Sequence, residues 1–471
     1  MAITKVTSSV LDVDIPAFKS FGTSSIMIGD TTTGTIDGAN YNTGVGVNVF
    51  EDLTSGDNNS AFGFNALTNI TTGSNNTAIG RTAMVSTTTQ SDNTAVGYAA
   101  LNVNTASYNT AVGSSALIAN TTGAGNTAVG YLTGEDLTTG SSNTFMGNQT
   151  GKNTTTSSSN SAFGSAALQT NTTGASNTSV GADALRYSTT ASYNTAVGHS
   201  ALTATTTGFS NTALGYTAGS GTTTGSNNIA IGSNTLVANT TGTENVAMGI
   251  LAGRYQTGAN YNTFLGSRAG YQATSSSNVC IGAYGASNLT TGSGTVIIGY
   301  NAQPYTATTA NEIIIGFSTK GVGTAHITMG VSSGSDRIYN NPSSNASWTR
   351  VSDERYKDNI QDNTDCGLAF INDLRPVTFK FKALADIDSD LPDYDAEATE
   401  RKYEQKHYGL IAQEVKQAMD NHNITDFAGW DNCSGIEAIS QEMFVHPLIK
   451  AVQELSAKND ALEARIEALE N

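Results

Sequence analysis

The stretch Asn93-Thr94-Ala95-Val96-Gly97-Tyr98-Ala99-Ala100-Leu101 contains the repeating unit from which most of the chain is built. Its first half, Asn-Thr-Ala-aliphatic-Gly, returns with closing glycines from Gly29 to Gly316, 17 residues apart except for two intervals of 16. Its second half returns as Ala66-Leu67, and a turn such as Thr121-Thr122-Gly123 often follows. Self-similarity at a fixed short period indicates a repeat architecture.

The length and pattern of this unit predict short strands. Seventeen residues are too few for a helical hairpin, and the alternation of β-branched and small residues is typical of strands. We therefore expect each repeat to form one coil of a β-solenoid, with two short strands and turns at glycine. Thr and Val would share one face of a strand and Ala the other, while stacked asparagines bond along the stack. At a strand spacing of about 4.8 Å the rod would be roughly 80 Å long.

Each coil offers few aliphatic side chains, which is little for a solenoid that stands alone. We therefore infer a homo-oligomer of three chains that share a core. The sequence leaves open the handedness, and whether three solenoids lie side by side or intertwine as a triple β-helix. Over roughly residues 25–330 the repeat resembles the heads of trimeric adhesins of the YadA type and the coils of phage fibres. This resemblance implies a shape more than a function.

Composition excludes several other classes of protein. Only 13% of the 471 residues are charged, and 49 glycines accompany only 6 prolines, which fits neither collagen nor a disordered chain. The net charge of -17 argues against a nucleic-acid binder or a protein of anionic membranes. No apolar run of 18 residues and no signal peptide is present, so we expect synthesis in the host cytoplasm and no membrane insertion.

Single residues of the shaft that could carry chemistry are better explained by packing or exposure. Cys280 stands where the repeat has Ala, so we expect a small packing residue rather than a reactive thiol. The three cysteines of the chain predict no disulfide framework. His199 and His326 have no ligand partners at useful spacing. The tyrosines before the asparagines, such as Tyr108 and Tyr193 (and likewise Tyr261), could stack on sugars, although packing over a turn is the commoner role.

Three ordered motifs follow residue 350, namely Ser352–Ile360 (SDERYKDNI), Tyr408–Val415 (YGLIAQEV) and Leu448–Leu455 (LIKAVQEL). Together they resemble the self-cleaving intramolecular chaperone of phage tailspikes, tail fibres and endosialidases. Tyr356 stands where that family often has Leu. The resemblance implies a Ser-Lys dyad with Ser352 as nucleophile and Lys357 as base, and a cut between Val351 and Ser352. The fold class expected is therefore mostly β, a homotrimeric solenoid shaft before a smaller α+β chaperone domain.

A lysine serves as a base only when it is neutral, so its pKa must fall from about 10.4. Burial lowers the pKa of a lysine, and we expect Lys357 to become competent only when assembly buries it. Two alternatives remain. Ser352 could merely cap a helix whose solvated face includes Glu354, Arg355 and Lys357, or the domain could fold as a chaperone without cleaving.

The end of the chain has a heptad pattern, which predicts a trimeric coiled coil over residues 446–471. Its core positions are Leu448, Val452, Leu455, Asn459, Leu462, Ile466 and Leu469. Asn459 would fix the register at some cost in stability. Three heptads are marginal alone, so the preceding domain must support the helix.

No cofactor or metal is expected. Asp386, Asp388, Asp390 and Glu397 have the spacing of a calcium loop, but Leu391 stands where such a loop needs glycine. An acidic surface insertion therefore explains these residues better than a calcium site.

The predicted organisation is a virion-attachment segment (1–28), a shaft (29–330), a linker or tip (331–351) and the chaperone domain (352–471). This predicts a fibre of a bacteriophage virion that binds a glycan or protein receptor of the host and attaches to a tail, baseplate or capsid protein through its N-terminus. We expect no activity on an external substrate and a single-turnover self-cleavage. The alternatives are a trimeric cell-surface adhesin and a tailspike that degrades polysaccharide at the interfaces between chains.

Overall fold

The structure is a computed structural model, and it describes residues 17–21, 23–29, 38–331, 337–342, 349–350, 354, 358–389, 394–401, 404–433 and 436–470. The chain divides into two compact units, Met1–Tyr356 and Lys357–Asn471. The boundary between these units falls inside the first C-terminal motif, at residues 352–360.

The first unit is a stack of short strands. They are β1 (Ala17–Phe21), β2 (Ser25–Gly29), β3 (Thr43–Gly46), β4 (Ser60–Phe62), β5 (Thr77–Ile79), β6 (Thr94–Val96), β7 (Thr110–Val112), β8 (Thr127–Val129), β9 (Thr144–Met146), β10 (Ser161–Phe163), β11 (Thr178–Val180), β12 (Thr195–Val197), β13 (Thr212–Leu214), β14 (Ile229–Ile231), β15 (Val246–Met248), β16 (Thr263–Leu265), β17 (Val279–Ile281), β18 (Val296–Ile298), β19 (Ile313–Gly316), β20 (Ile327–Gly330), β21 (Arg337–Asn340) and β22 (Thr349–Arg350). From β2 to β20 each strand pairs in parallel with the strand of the next coil. A mostly β chain with coils of about 17 residues is thus confirmed, and a single chain winds the described coils.

The coils stack in register, so that equal residues lie above one another. Ala196 of β12 pairs with Ala213 of β13, and Val197 pairs with Leu214. In the three-residue strands β4 to β18 the central residue is buried inside the coil, whereas its two neighbours face outward. The predicted division of the strand into a small inner face and a Thr/Val outer face is therefore confirmed.

The predicted asparagine ladder is also confirmed. The Oδ1 atom of Asn126 accepts a hydrogen bond of 3.0 Å from the backbone N–H of Asn143, one coil further on. Its Nδ2 atom donates a hydrogen bond of 2.9 Å to the carbonyl of Gly140. Buried asparagines occupy this position from Asn42 to Asn278. Each one therefore satisfies backbone groups that would otherwise be buried without partners.

The second half of the repeat forms a turn, so the prediction of two strands per coil is wrong for the described residues. Asn65 and Leu67 have φ angles of 56° and 49°, in the left-handed region. Two left-handed residues at alternate positions cannot form an extended strand. This bend turns Ala66 and Leu67 inward, and both are fully buried. The inner faces of strand and turn thus make one continuous core along the solenoid.

The closing glycine of the repeat is required by both conformation and space. Gly215 has a φ angle of +138°, which residues with a Cβ rarely adopt. A Cβ at this position would lie 2.6 Å from the carbonyl oxygen of Gly232 in the next coil. This close approach of successive backbones explains why the glycine recurs with the period of the coil.

Antiparallel strands lie at both ends of the parallel stack. β1 pairs with β2 in antiparallel orientation, and β20, β21 and β22 form an antiparallel series at the other end. β1 and β21 therefore cover the outer edges of β2 and β20, which would otherwise be open to pairing with another strand.

Within its described residues, the second unit combines three α-helices with two antiparallel pairs of short strands. Its elements are α1 (Leu368–Asp373), β23 (Val377–Phe379), β24 (His407–Gly409), α2 (Ala412–Asn421), β25 (Trp430–Cys433), β26 (Ile436–Ile439) and α3 (Val445–Glu470). β23 pairs with β24 and β25 with β26, both antiparallel. A core formed by Phe370, Val415, Ala418, Met419, Ile424 and Phe444 joins α1, α2 and the turn before α3. The small α+β region that was predicted after the shaft is confirmed.

Candidate functional site in the C-terminal unit

The predicted catalytic residues lie outside the described residues. This applies to Val351, Ser352 and Lys357, so the geometry of the dyad and of the predicted cut stays a prediction. Within the first motif the structure describes Glu354 and residues 358–360, all of them exposed.

The second motif leads from β24 into α2 and fastens this helix to the rest of the unit. Val415 lies in the core, while Glu414, in the first turn of α2, faces Arg375. The guanidinium of Arg375 donates two hydrogen bonds to the carboxylate of Glu414, one of them 3.0 Å from Nε to Oε2. These bonds raise the pKa of Arg375 further above its ordinary value. The motif thus supplies one core contact and one bidentate ion pair.

The third motif lies in α3 from the fourth residue of the helix onward, and α3 packs on α1. Ala451 is buried there, and the carboxylate of Glu454 accepts a hydrogen bond of 2.8 Å from the backbone N–H of Leu368. Leu368 is the first residue of α1, and its N-cap residue, Gly367, has no side chain to offer. Glu454 therefore satisfies one of the free N–H groups of α1 from a helix 86 residues away.

Aromatic rings complete the support of α3. The rings of Phe370 and Phe427 meet edge to face with centroids 5.6 Å apart, and those of Phe427 and Phe444 at 5.1 Å. Phe444 immediately precedes α3. The start of the last helix is therefore fixed by packing that the chain provides by itself.

Beyond Ala451 no residue of α3 is buried in the described chain. The predicted trimerisation residues lie on this helix as an exposed apolar face, with Val452 64%, Leu462 58% and Leu469 80% accessible. The amide of Asn459 donates a hydrogen bond of 2.8 Å to Glu463 on the same helix. The other members of this face are Leu448, Leu455 and Ile466, each about half exposed.

The shaft residues singled out from sequence behave as packing or surface residues. Cys280 is fully buried, which confirms the prediction of a small packing residue, and burial raises the pKa of its thiol. His199 is exposed and stacks on Tyr216 with ring centroids 5.6 Å apart. Tyr108 and Tyr193 are 68% and 67% exposed, which does not fit the packing over a turn that was favoured for them.

The acidic loop provides no metal centre in the part of the chain that the structure describes. Asp390 lies outside that part, and among the described residues no group of three His, Cys, Asp or Glu side chains could hold an ion. Asp386 lies in a short 3-10 turn at Leu384–Asp386. None of the helices within the described ranges is long and apolar enough to cross a membrane.

Comparison with known families finds a match in the C-terminal part of the chain. Residues 352–424 match the family model described as chaperone of endosialidase. This match begins at the first predicted motif and includes the second. No curated protein matches the chain. The chain therefore combines a β-solenoid of about 17-residue coils with a C-terminal segment that matches the endosialidase chaperone model, and this combination supports a tailspike or fibre with a C-terminal chaperone domain.

Sequence reasoning missed the contacts that hold α3 in place. Neither Glu454 nor Arg375 was predicted from the sequence to make a contact across this unit. Gly367 before a short apolar segment indicates only that the start of α1 lacks a capping side chain, and it does not identify Glu454 as the acceptor. No local pattern could have paired residues that are 86 positions apart.

Proposed function

We propose that this protein is a bacteriophage virion fibre, a tail fibre or similar appendage, that binds the surface of the host cell. Its C-terminal unit would assemble three chains and then leave the fibre by self-cleavage. The proposal is carried by the match to the endosialidase chaperone family directly after a shaft of stacked coils. Residues 1–28 would attach the fibre to a tail, baseplate or capsid protein.

Two exposed apolar surfaces support assembly into a homotrimer. One is the face of α3, which no described part of the chain covers. The other is the outer face of the shaft strands, where Phe62, Met146 and Leu214 are 57%, 42% and 49% exposed. Exposed apolar surface repeated along a molecule marks an interaction site. Three chains that bring these surfaces together would remove both from water.

The C-terminal position of the assembly helix suits the folding problem of the shaft. A long parallel stack forms slowly and exposes strand edges while it does so. Joining three chains through α3 first would bring the shafts into register before they fold. A domain that acts only during assembly has no further use in the finished fibre, which is why its removal can be tolerated.

The self-cleavage step uses two groups of the motif and one water molecule. The Oγ atom of Ser352 would attack the carbonyl carbon of Val351 while the neutral Lys357 amine accepts the hydroxyl proton. The C–N bond then breaks, and Lys357 returns the proton to the leaving nitrogen, which becomes the amino group of Ser352. Water hydrolyses the resulting ester, leaving a carboxylate on Val351 and a free hydroxyl on Ser352.

Intact-mass analysis of the purified wild type and of Ser352→Ala tests the proposal. We expect two fragments from the wild type, separated between Val351 and Ser352, and one chain of 48.6 kDa from the variant. Ser347→Ala removes a nearby serine that has no part in the dyad, and this control should cleave as the wild type does. Wild type that stays at full mass, or a Ser352→Ala variant that is cut equally, would contradict the self-cleavage.

A further inference from the structure

The charge of the shaft changes sign along its length. Residues 38–244 contain three basic and eight acidic residues, whereas residues 245–331 contain three basic residues and one acidic residue, Glu312. Glu312 is buried. The exposed charge of the last coils is therefore basic, on a chain whose net charge is -17.

Each of these three basic side chains lies over a tyrosine ring. The guanidinium of Arg254 is 5.7 Å from the ring centroid of Tyr255, and the ammonium of Lys320 is 5.9 Å from that of Tyr305. Arg268 lies between two rings, 5.8 Å from Tyr271 and 5.5 Å from Tyr284. Such cation–π contacts hold the charges in fixed positions beside aromatic faces.

The rings also contact each other from coil to coil. Tyr255 and Tyr271 lie 5.0 Å apart between centroids, Tyr284 and Tyr300 6.0 Å, and Tyr300 and Phe317 5.3 Å in a stacked arrangement. Because Arg268 joins Tyr271 to Tyr284, these five rings and Arg254 and Arg268 form one continuous surface, here called the aromatic track. It crosses the five coils that begin after Gly249, Gly266, Gly282, Gly299 and Gly316, about 19 Å along the solenoid axis.

The aromatic track is accessible. Tyr255, Tyr300 and Phe317 are 47%, 49% and 59% exposed. Elsewhere in the described shaft, comparable contacts are isolated pairs, such as Arg186 over Tyr187. Ring-to-ring contact contributes to stability, but packing alone does not require the charged groups to be arranged beside half-exposed faces.

We propose that the aromatic track binds a linear polysaccharide that bears carboxylate groups, with its chain lying along the shaft axis. This rests on the proposed function, because it names the host-surface ligand of the fibre. Exposed aromatic faces take the apolar faces of sugar rings, and a guanidinium binds a carboxylate in a bidentate manner. The Thr, Ser and Asn side chains of the surrounding coils add hydrogen-bonding groups.

Single-stranded nucleic acid is the competing ligand, since bases also stack on aromatic side chains. Three cations in five coils are few compared with the basic grooves of proteins that bind a phosphate backbone. The net charge of -17 also disfavours binding of a densely charged polyanion. The arrangement therefore favours a sparsely charged sugar chain.

Affinity electrophoresis of the full-length chain, in gels containing hyaluronan, heparosan or unsulfated chondroitin, which carry a carboxylate on every second sugar, tests this proposal, with dextran as the neutral probe and oligothymidylate as the nucleic acid. We expect retardation by at least one acidic polysaccharide, weakened by salt, and none by dextran. Tyr284→Ala with Tyr300→Ala should lower the affinity by about tenfold or more, and Arg268→Gln should weaken it as well. The control is Tyr193→Ala, an exposed tyrosine outside the aromatic track.

Thermal unfolding of each variant establishes that the shaft is still folded. Retardation by none of the acidic polysaccharides, equal loss in Tyr193→Ala, or stronger binding of oligothymidylate would overturn the proposal. A trimeric, self-cleaved fibre that fails these binding tests would refute the aromatic track and leave the proposed function standing. A chain that neither assembles nor cleaves would refute the proposed function, whatever it binds.

Discussion

The ring of Phe145 fills the space that a side chain at Gly151 would occupy, because a Cβ on Gly151 would lie 2.9 Å from this ring. Phe145 stands where most strands have a buried Ala, and Gly151 stands where seven of the coils have a buried Leu. The same exchange recurs at Phe264, whose ring lies against the Cβ position of Gly270. A large side chain at the strand position therefore accompanies a glycine at the turn position, and the buried side-chain volume stays similar from coil to coil.

The double variant Phe145→Ala with Gly151→Leu should recover most of the stability that Phe145→Ala alone removes. Phe145→Ala alone should lower the free energy of unfolding by about 3–5 kcal/mol, because it leaves a cavity. Adding Gly151→Leu should recover a large part of that loss, since Leu168 and Leu185 already adopt φ angles of 53° and 50° at this position. Denaturant unfolding of both single variants and the double variant measures the coupling. Simple additivity of the two losses would contradict the explanation.

Replacing any one of the buried asparagines should lower the free energy of unfolding. Asn126→Ala would leave the backbone N–H of Asn143 and the carbonyl of Gly140 buried without these partners, at a cost of about 2–4 kcal/mol in the free energy of unfolding. Asn148→Ala, on the exposed surface of the neighbouring coil, should change it by less than about 0.5 kcal/mol. Equal effects of the two substitutions in denaturant titration would show that the ladder is not what holds the coils.

The last rung of the ladder should make stability depend on pH. Glu312 is buried there and accepts hydrogen bonds from the backbone N–H groups of Tyr305 and Gly323, at 2.9 Å and 2.8 Å. Burial raises the pKa of its carboxyl above the ordinary 4.5, more than the N–H donors lower it. The folded chain therefore holds this proton more strongly than the unfolded chain, and its contribution to stability falls as the pH rises from 4.5 through the folded pKa.

Thermal unfolding of the wild type and Glu312→Gln between about pH 4 and 7 measures this effect. The stability of the wild type relative to the variant should decrease as the pH rises. A difference that is independent of pH, or that grows in favour of the wild type, would contradict the raised pKa.

The apolar face of α3 should decide the oligomeric state. Leu462→Asp places a charge at a core position of the heptad and should abolish the trimer, because a charge in that core would be buried without a partner. Ala464→Asp, two residues further and on the opposite side of the helix, should leave the trimer intact. Light scattering of the full-length proteins gives the masses, and a trimer that survives Leu462→Asp would show that chains associate elsewhere.

The sequence was sufficient for the periodic part of the fold and insufficient for what departs from the period. Stacked Asn126 and Asn143 could be predicted because equal residues recur every 17 positions, and such a period leaves few alternatives to a stack of coils. The left-handed bend at Leu67 could not be predicted, because leucine has no intrinsic preference for a positive φ. Only packing inside the coil imposes this conformation. The contact between Glu454 and Leu368 depends on tertiary folding and has no local signal.

Within the candidate site, the heptad of α3 could be recognised because its spacing is regular, and the exposed helix agrees with it. The dyad Ser352 and Lys357 was identified by resemblance to a family. Both residues lie outside the described part of the chain, so the geometry of the dyad stays a prediction.

The central claim is that the C-terminal unit joins three chains and is then released. Native mass spectrometry of the wild type and of Leu462→Asp, followed over time after synthesis, measures assembly and cleavage in the same sample. The account predicts that cleavage between Val351 and Ser352 occurs in wild-type trimers, and that Leu462→Asp remains an uncleaved monomer. Monomers of Leu462→Asp that cleave as fast as the wild type would contradict it, as would wild-type trimers that stay at full length.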